Sequence, residues 1–67
     1  MNREPVSSSN LKSAGWEDGV LEVEFSDGST WKYQGVPEMV YRQMLAAPSI
    51  GRFFRQAIQS RYEGSQS

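Results

Sequence analysis

The stretch Leu21 to Tyr33, LEVEFSDGSTWKY, constrains this chain more than any other. Leu21, Val23 and Phe25 alternate with Glu22 and Glu24, the two-residue period of a strand with one buried face. Ser26-Asp27-Gly28 supplies turn chemistry, and Thr30, Trp31 and Tyr33 carry the chain back in strand-favouring residues. The stretch reads as one β-hairpin, and the rest of the sequence reads as cover for one of its faces.

Loop length decides where the aromatic residues point. A two-residue loop at Asp27-Gly28 pairs Phe25 with Thr30 and puts Trp31 and Tyr33 among the glutamates. A three-residue loop with Gly28 left-handed pairs Phe25 with Ser29, Val23 with Trp31 and Leu21 with Tyr33. It unites the apolar side chains on one face and sets Glu24 opposite Thr30 and Glu22 opposite Lys32 on the other. A one-residue slip flips every side chain, so the pattern selects the three-residue loop.

Before the hairpin, Asn10 to Trp16 is expected as a first strand, joined through Glu17-Asp18-Gly19. A three-residue loop there sets Lys12 opposite Glu24 and Leu11 opposite Phe25, with Trp16 outside. A shorter loop, or a bulge at Gly15, turns Ala14 and Trp16 inward. Both registers remain open, so Trp16 is either a core residue or an exposed aromatic at the sheet's end.

After the hairpin, Gly35 ends the strand and Pro37 opens a helix running to about Ala46, with Val40, Tyr41, Met44 and Leu45 as its apolar stripe. Pro48 stops it and Ser49 caps a second helix. That helix carries Ile50, Phe53, Phe54, Ala57, Ile58 and Tyr62 on one side and Arg52, Arg55, Gln56 and Gln59 on the other. The expected fold class is α+β: a three-stranded antiparallel meander followed by two helices packed on one face. Residues 1–67 form a single domain, with 1–9 as a loop and 64–67 as a tail, both expected to be flexible.

A chain of 67 residues buries only about 60% of its unfolded surface, so its core has little margin. With no Cys and no His, it has neither a disulfide nor a Cys/His metal cage. No apolar run approaches a membrane span, and no stretch reads as a signal peptide. A cytoplasmic location is the expectation, as a monomer or weak homodimer. Residues 1–35 carry three basic and six acidic side chains, while residues 36–67 carry four arginines and two glutamates. Arg is the residue suited to bidentate phosphate or carboxylate contacts, although a solvated helix face carries it as well.

Ser8-Ser9-Asn10-Leu11, Gly15-Trp16, Leu21 to Phe25, Gly28, Trp31-Lys32-Tyr33 and Val36-Pro37 together resemble the KTSC domain family. So do Val40-Tyr41, Ala47, Ser49, Gly51-Arg52-Phe53-Phe54, Ile58 and Tyr62. The family takes its name from a domain at the C-terminus of some lysyl-tRNA synthetases, and it also occurs as a stand-alone small bacterial protein. Its Tyr-x-Tyr motif reads Trp31-Lys32-Tyr33 here, and its frequent Tyr-Phe-Asn reads Phe53-Phe54-Arg55. The resemblance implies no established activity. It favours Ala14 and Trp16 facing inward, and attachment to a tRNA enzyme suggests RNA as a partner.

Catalysis is the least favoured class. No His, Cys or Gly-rich phosphate loop is present, and Ser7 to Ser9 have no base to activate them. Glu22 and Glu24 share a face, but Lys12 and Lys32 as cross-strand partners make them a charge ladder. No cofactor and no metal is expected. The expected function is a non-catalytic binding or accessory domain, contacting RNA or tRNA through Lys32, Arg42, Arg52 and Arg55, with Trp16 as a stacking residue. The alternative is a protein-interaction or self-association module working through the open sheet edges.

Overall fold

The computed structural model describes residues 2–67. Five antiparallel strands lie in sequence order, β1 (Glu4–Pro5), β2 (Leu11–Glu17), β3 (Val20–Phe25), β4 (Thr30–Tyr33) and β5 (Gly64–Gln66). Helix α1 (Glu38–Ala46) follows β4. Helix α2 (Ile50–Phe53) continues directly into a π-helical segment, Phe54–Gln59.

The β3–β4 hairpin has the three-residue loop. Leu21 pairs with Tyr33, Glu22 with Lys32, Val23 with Trp31 and Glu24 with Thr30. Phe25 N–H donates to Ser29 O at 2.8 Å, and Gly28 takes φ +92°. Leu21, Val23 and Tyr33 are thereby buried, while Lys32 stands exposed on the other face.

The β2–β3 connection is shorter. Glu17 pairs with Val20 across Asp18-Gly19, whose φ values of 51° and 82° are those of a type I′ turn. Trp16 then lies opposite Leu21 and Ala14 opposite Val23, both turned inward. Leu11 and Ala14 are three residues apart, yet both are buried, which an unbroken two-residue period forbids. A bulge between Leu11 and Ser13 absorbs the odd residue, Lys12, and keeps Leu11 opposite Phe25. Ser13, not Lys12, therefore faces Glu24, and its hydroxyl donates to Glu24 Oε1 at 3.2 Å.

Two expectations need correction. The sheet has five strands, not three, because short segments from the expected terminal loop and tail pair with the two outer strands. Pro5 lacks an N–H and is tolerated only at such an edge. Gly15 leaves room beside β2: a Cβ there would meet Asn2 O and the Arg3 side chain. Arg3 in turn reaches Glu22 at 3.6 Å. At the other edge, Gly64 lies opposite Tyr33, and a Cβ on it would overlap the Tyr33 ring. The second correction is in the last helix, which keeps α geometry for only one turn before the π-helical segment. The four-residue spacing of Phe54 and Ile58 serves either helix, so the apolar stripe does not announce the switch.

Both helical elements cover one face of the sheet. Leu11, Ala14, Leu21, Val23, Tyr33, Val36, Met44, Phe54 and Ile58 form the buried core. Phe54 is held edge-on between Phe25 and Tyr33, with ring centroids 5.7 and 5.3 Å away. Burial pushes the Tyr33 phenol pKa up, partly offset by a hydrogen bond with the Gln59 side chain. Trp16 closes one end of the core, where its indole N–H donates to Val36 O at 2.7 Å.

Candidate functional site

The Ser7–Asn10 loop joins β1 to β2 and passes over the start of α2. Local hydrogen bonds shape it: Asn10 N–H donates to Ser8 Oγ at 3.2 Å, and Ser9 Oγ donates to Asn10 Oδ1 at 3.4 Å. Asn10 O accepts from Ser26 N–H at 2.9 Å, which ties the loop to the β3–β4 turn. On the helix side, the Ser49 hydroxyl accepts from Arg52 N–H at 3.3 Å and fixes the first turn. Gly51 is buried beneath the loop. A Cβ there would stand 3.1 Å from Ser8 Oγ and 3.3 Å from Asn10 Nδ2, so glycine permits the close approach of loop and helix.

Loop and helix enclose a depression of about 630 Å³. Its walls include the Ser7, Ser8 and Ser9 segment and Asn10 on one side, and Gly51, Arg52, Arg55 and Gln56 on the other. The lining offers hydroxyl and amide donors with two guanidinium groups, and no carboxylate. Among the described residues, the ion pairs join Arg3 to Glu22 and Arg42 to Glu38. Arg52 and Arg55 take part in neither. Two fixed positive charges among neutral donors suit a phosphate or carboxylate group.

Of the five contact residues suggested by the sequence, only Arg52 and Arg55 come together. Arg42 sits on α1 and is held by Glu38 at 3.1 Å. Lys32 stands on the far face of the sheet, opposite Glu22, in a shallow depression lined also by Glu17 and Asp18. Trp16 faces the core and spends its indole N–H on Val36 O. The sequence reading left Ser7 to Asn10 out of the candidate site. The signal that could have found them is the Ser-Ser-Asn run itself, which needs a glycine in the facing helix, as Gly51 supplies.

Among the described residues, no His, Cys, Asp or Glu side chains gather in threes to hold a metal ion. No helix among them is long and apolar enough to cross a membrane.

An antiparallel sheet with a helical layer on one face, and a donor-lined groove between a serine-rich loop and the second helix, defines a small α+β domain. Residues 7–62 match the KTSC domain, and the chain belongs to that family. A KTSC domain protein from Yersinia pestis has a crystal structure that superposes with a TM-score of 0.90 at 38% identity, covering 98% of this chain and 96% of that one. An uncharacterized protein of Stutzerimonas stutzeri is 41% identical over 64 residues, 92% of this chain and 90% of its own length. A protein of Tsukamurella paurometabola is 36% identical over 61 residues, covering 88% and 91% of the two chains.

Proposed function

We propose that this is a non-catalytic, cytoplasmic accessory domain that binds single-stranded RNA, or the single-stranded parts of tRNA, through the groove between Ser7–Asn10 and the Arg52/Arg55 face. The observation that carries the reading is the convergence of Arg52 and Arg55, outside the ion pairs of the described residues, on a donor-lined depression free of carboxylates. The phosphate backbone supplies most of the affinity in such complexes, and Arg is the side chain that grips it best. Two arginines are few, so binding is weak and its salt dependence is shallow, with a slope of about 1.4 for two phosphate contacts.

The test is an NMR amide-shift titration with a short single-stranded RNA and with tRNA at low and moderate salt. The expected result is a salt-sensitive set of shifts at Ser8, Ser9, Asn10, Gly51, Arg52 and Arg55. Replacing both arginines by Ala should weaken binding and lower the slope of log affinity against log salt by about 1.4, at roughly 0.7 per lost phosphate contact. No shift at low salt would sink the RNA reading and leave a protein partner as the better search. A partner strand has little to grip: β1 offers two residues, one of them Pro5, and β5 offers three.

A further inference from the structure

A second depression, of about 440 Å³, adjoins the first at Asn10. Phe25, Ser26, Asp27, Ser29, Trp31 and Gln59 complete its lining. Its character differs from that of its neighbour. Phe25 and Trp31 pack against the core but are only half-buried, so part of their ring surface remains open. Asn10, Gln59 and Asp27 line the depression beside the rings. The carboxylate is anchored in the turn by Ser29 N–H at 2.9 Å and Ser29 Oγ at 2.7 Å. One depression thus presents positive charge and neutral donors. The other presents an aromatic wall with mixed donors and acceptors. A nucleotide has this division of chemistry, a phosphate at one end and a flat ring with polar edges at the other.

We propose that the two depressions flanking Asn10 form a single nucleotide subsite, with the phosphate at Arg52, Arg55 and Ser8–Ser9 and the base against Trp31. The subsite deepens the RNA reading and rests on it, because it assigns one nucleotide of the strand to a fixed place. Asn10 is the shared wall, and its main chain is fixed by Ser26 N–H, so both halves are built on one anchored residue. Asp27 opposes a phosphate electrostatically and lies on the base side only, which gives the bound nucleotide a direction. Base–aromatic contact tolerates any sequence, so preference among bases comes from the Asn10, Gln59 and Asp27 edge.

The two indole N–H groups make the test direct. The full chain is titrated separately with inorganic phosphate and with adenosine 5′-monophosphate, at low salt, following backbone amides and both indole signals. Phosphate should shift Ser8, Ser9 and Gly51 and leave both indoles in place. The nucleotide should shift those amides and the Trp31 indole, while the Trp16 indole stays unmoved in its hydrogen bond to Val36 O. Trp31→Leu should weaken nucleotide binding at least five-fold, about 1 kcal/mol at 1.4 kcal/mol per tenfold, and leave phosphate binding unchanged. Identical responses to phosphate and nucleotide, with the Trp31 indole still, overturn the subsite. If single-stranded RNA nevertheless binds in an arginine-dependent manner, the RNA reading survives that outcome. Absence of any response to phosphate, nucleotide and RNA overturns both.

Discussion

Two turns of nearly the same composition, Trp16-Glu-Asp-Gly-Val20 and Phe25-Ser-Asp-Gly-Ser29, close the two hairpins of the meander in different ways. In the first, Asp18 and Gly19 both take positive φ and Glu17 pairs with Val20. In the second, Gly28 alone is left-handed, and three residues separate Phe25 from Ser29. The residue after the glycine supplies one cause. Ser29 donates its N–H and its hydroxyl to Asp27 Oδ1 and holds the aspartate in an Asx-type turn. Val20 has no hydroxyl to make the second of these bonds. Tertiary structure supplies the other. The first turn is clamped from outside by Val36, whose N–H donates to Gly19 O at 2.9 Å and whose carbonyl accepts from Trp16. Turn chemistry permits both loops, and the side chains that must reach the core choose between them.

Deleting one residue from each turn separates the two cases most sharply. Without Glu17, a two-residue loop pairs Trp16 with Val20 and turns Trp16 and Ala14 out of the core. Turning half-buried Trp16 and fully buried Ala14 out to solvent together costs about 2–3 kcal/mol, a large share of the stability of so small a domain. The expected outcome is loss of cooperative thermal unfolding. A melting temperature within a few degrees of the parent would show that the β2 register does not depend on the loop. Replacing the turn glycines comes next. A Cβ at Gly19 or Gly28 meets nothing within 4 Å, so Gly19→Ala and Gly28→Ala both report backbone strain alone. Each should cost about 1–2 kcal/mol by chemical denaturation. A neutral result at Gly28 would contradict its left-handed conformation.

Deletion of Ser26 is the mirror experiment, with a smaller effect. Asp27-Gly28 then becomes a two-residue loop, and Phe25 still pairs with Ser29. What disappears is the Ser26 N–H to Asn10 O hydrogen bond, worth about 1 kcal/mol. The expected protein is folded, with the Val23–Trp31 cross-strand contact retained in nuclear Overhauser spectra and the Ser7–Asn10 loop loosened. Loss of that contact would mean that loop length, not apolar pattern, sets the register of β4.

The same contrast explains what could be read in advance. The β3–β4 register was legible because alternation and charge pairing agreed on one answer. The register of β2 stayed open because Leu11 and Ala14 have the wrong parity for a regular strand, and only the bulge at Lys12 reconciles them. β1 and β5 left no signal, since Glu-Pro and Gly-Ser-Gln have little strand propensity and pair only because the outer strands offer open edges. In the candidate site, Arg52 and Arg55 stood out by type and spacing. Their partners Ser7 to Asn10 did not, because a loop more than forty positions earlier reaches them only through the fold. Lys32 and Arg42 looked equivalent to them in sequence, and sheet face and a carboxylate neighbour set the two apart.

The smallest effect isolates the second turn's own chemistry. The Asp27 carboxyl pKa lies below its ordinary value of 3.8, first because the Ser29 hydroxyl donates to it and then because the Ser29 N–H does. A pKa lowered on folding contributes stability that is fully present above the unfolded value and is lost as pH falls through the folded one. Acidification from about pH 5 should therefore weaken the β3–β4 turn on the acid side only. Ser29→Ala removes the leading cause, so the Asp27 midpoint, followed by carboxyl-carbon NMR, should rise toward 3.8 without reaching it while the N–H contact remains. An unchanged midpoint would mean that the hydroxyl does not hold the aspartate. The local distinction between the two turns would then be lost, leaving core parity alone to set their lengths.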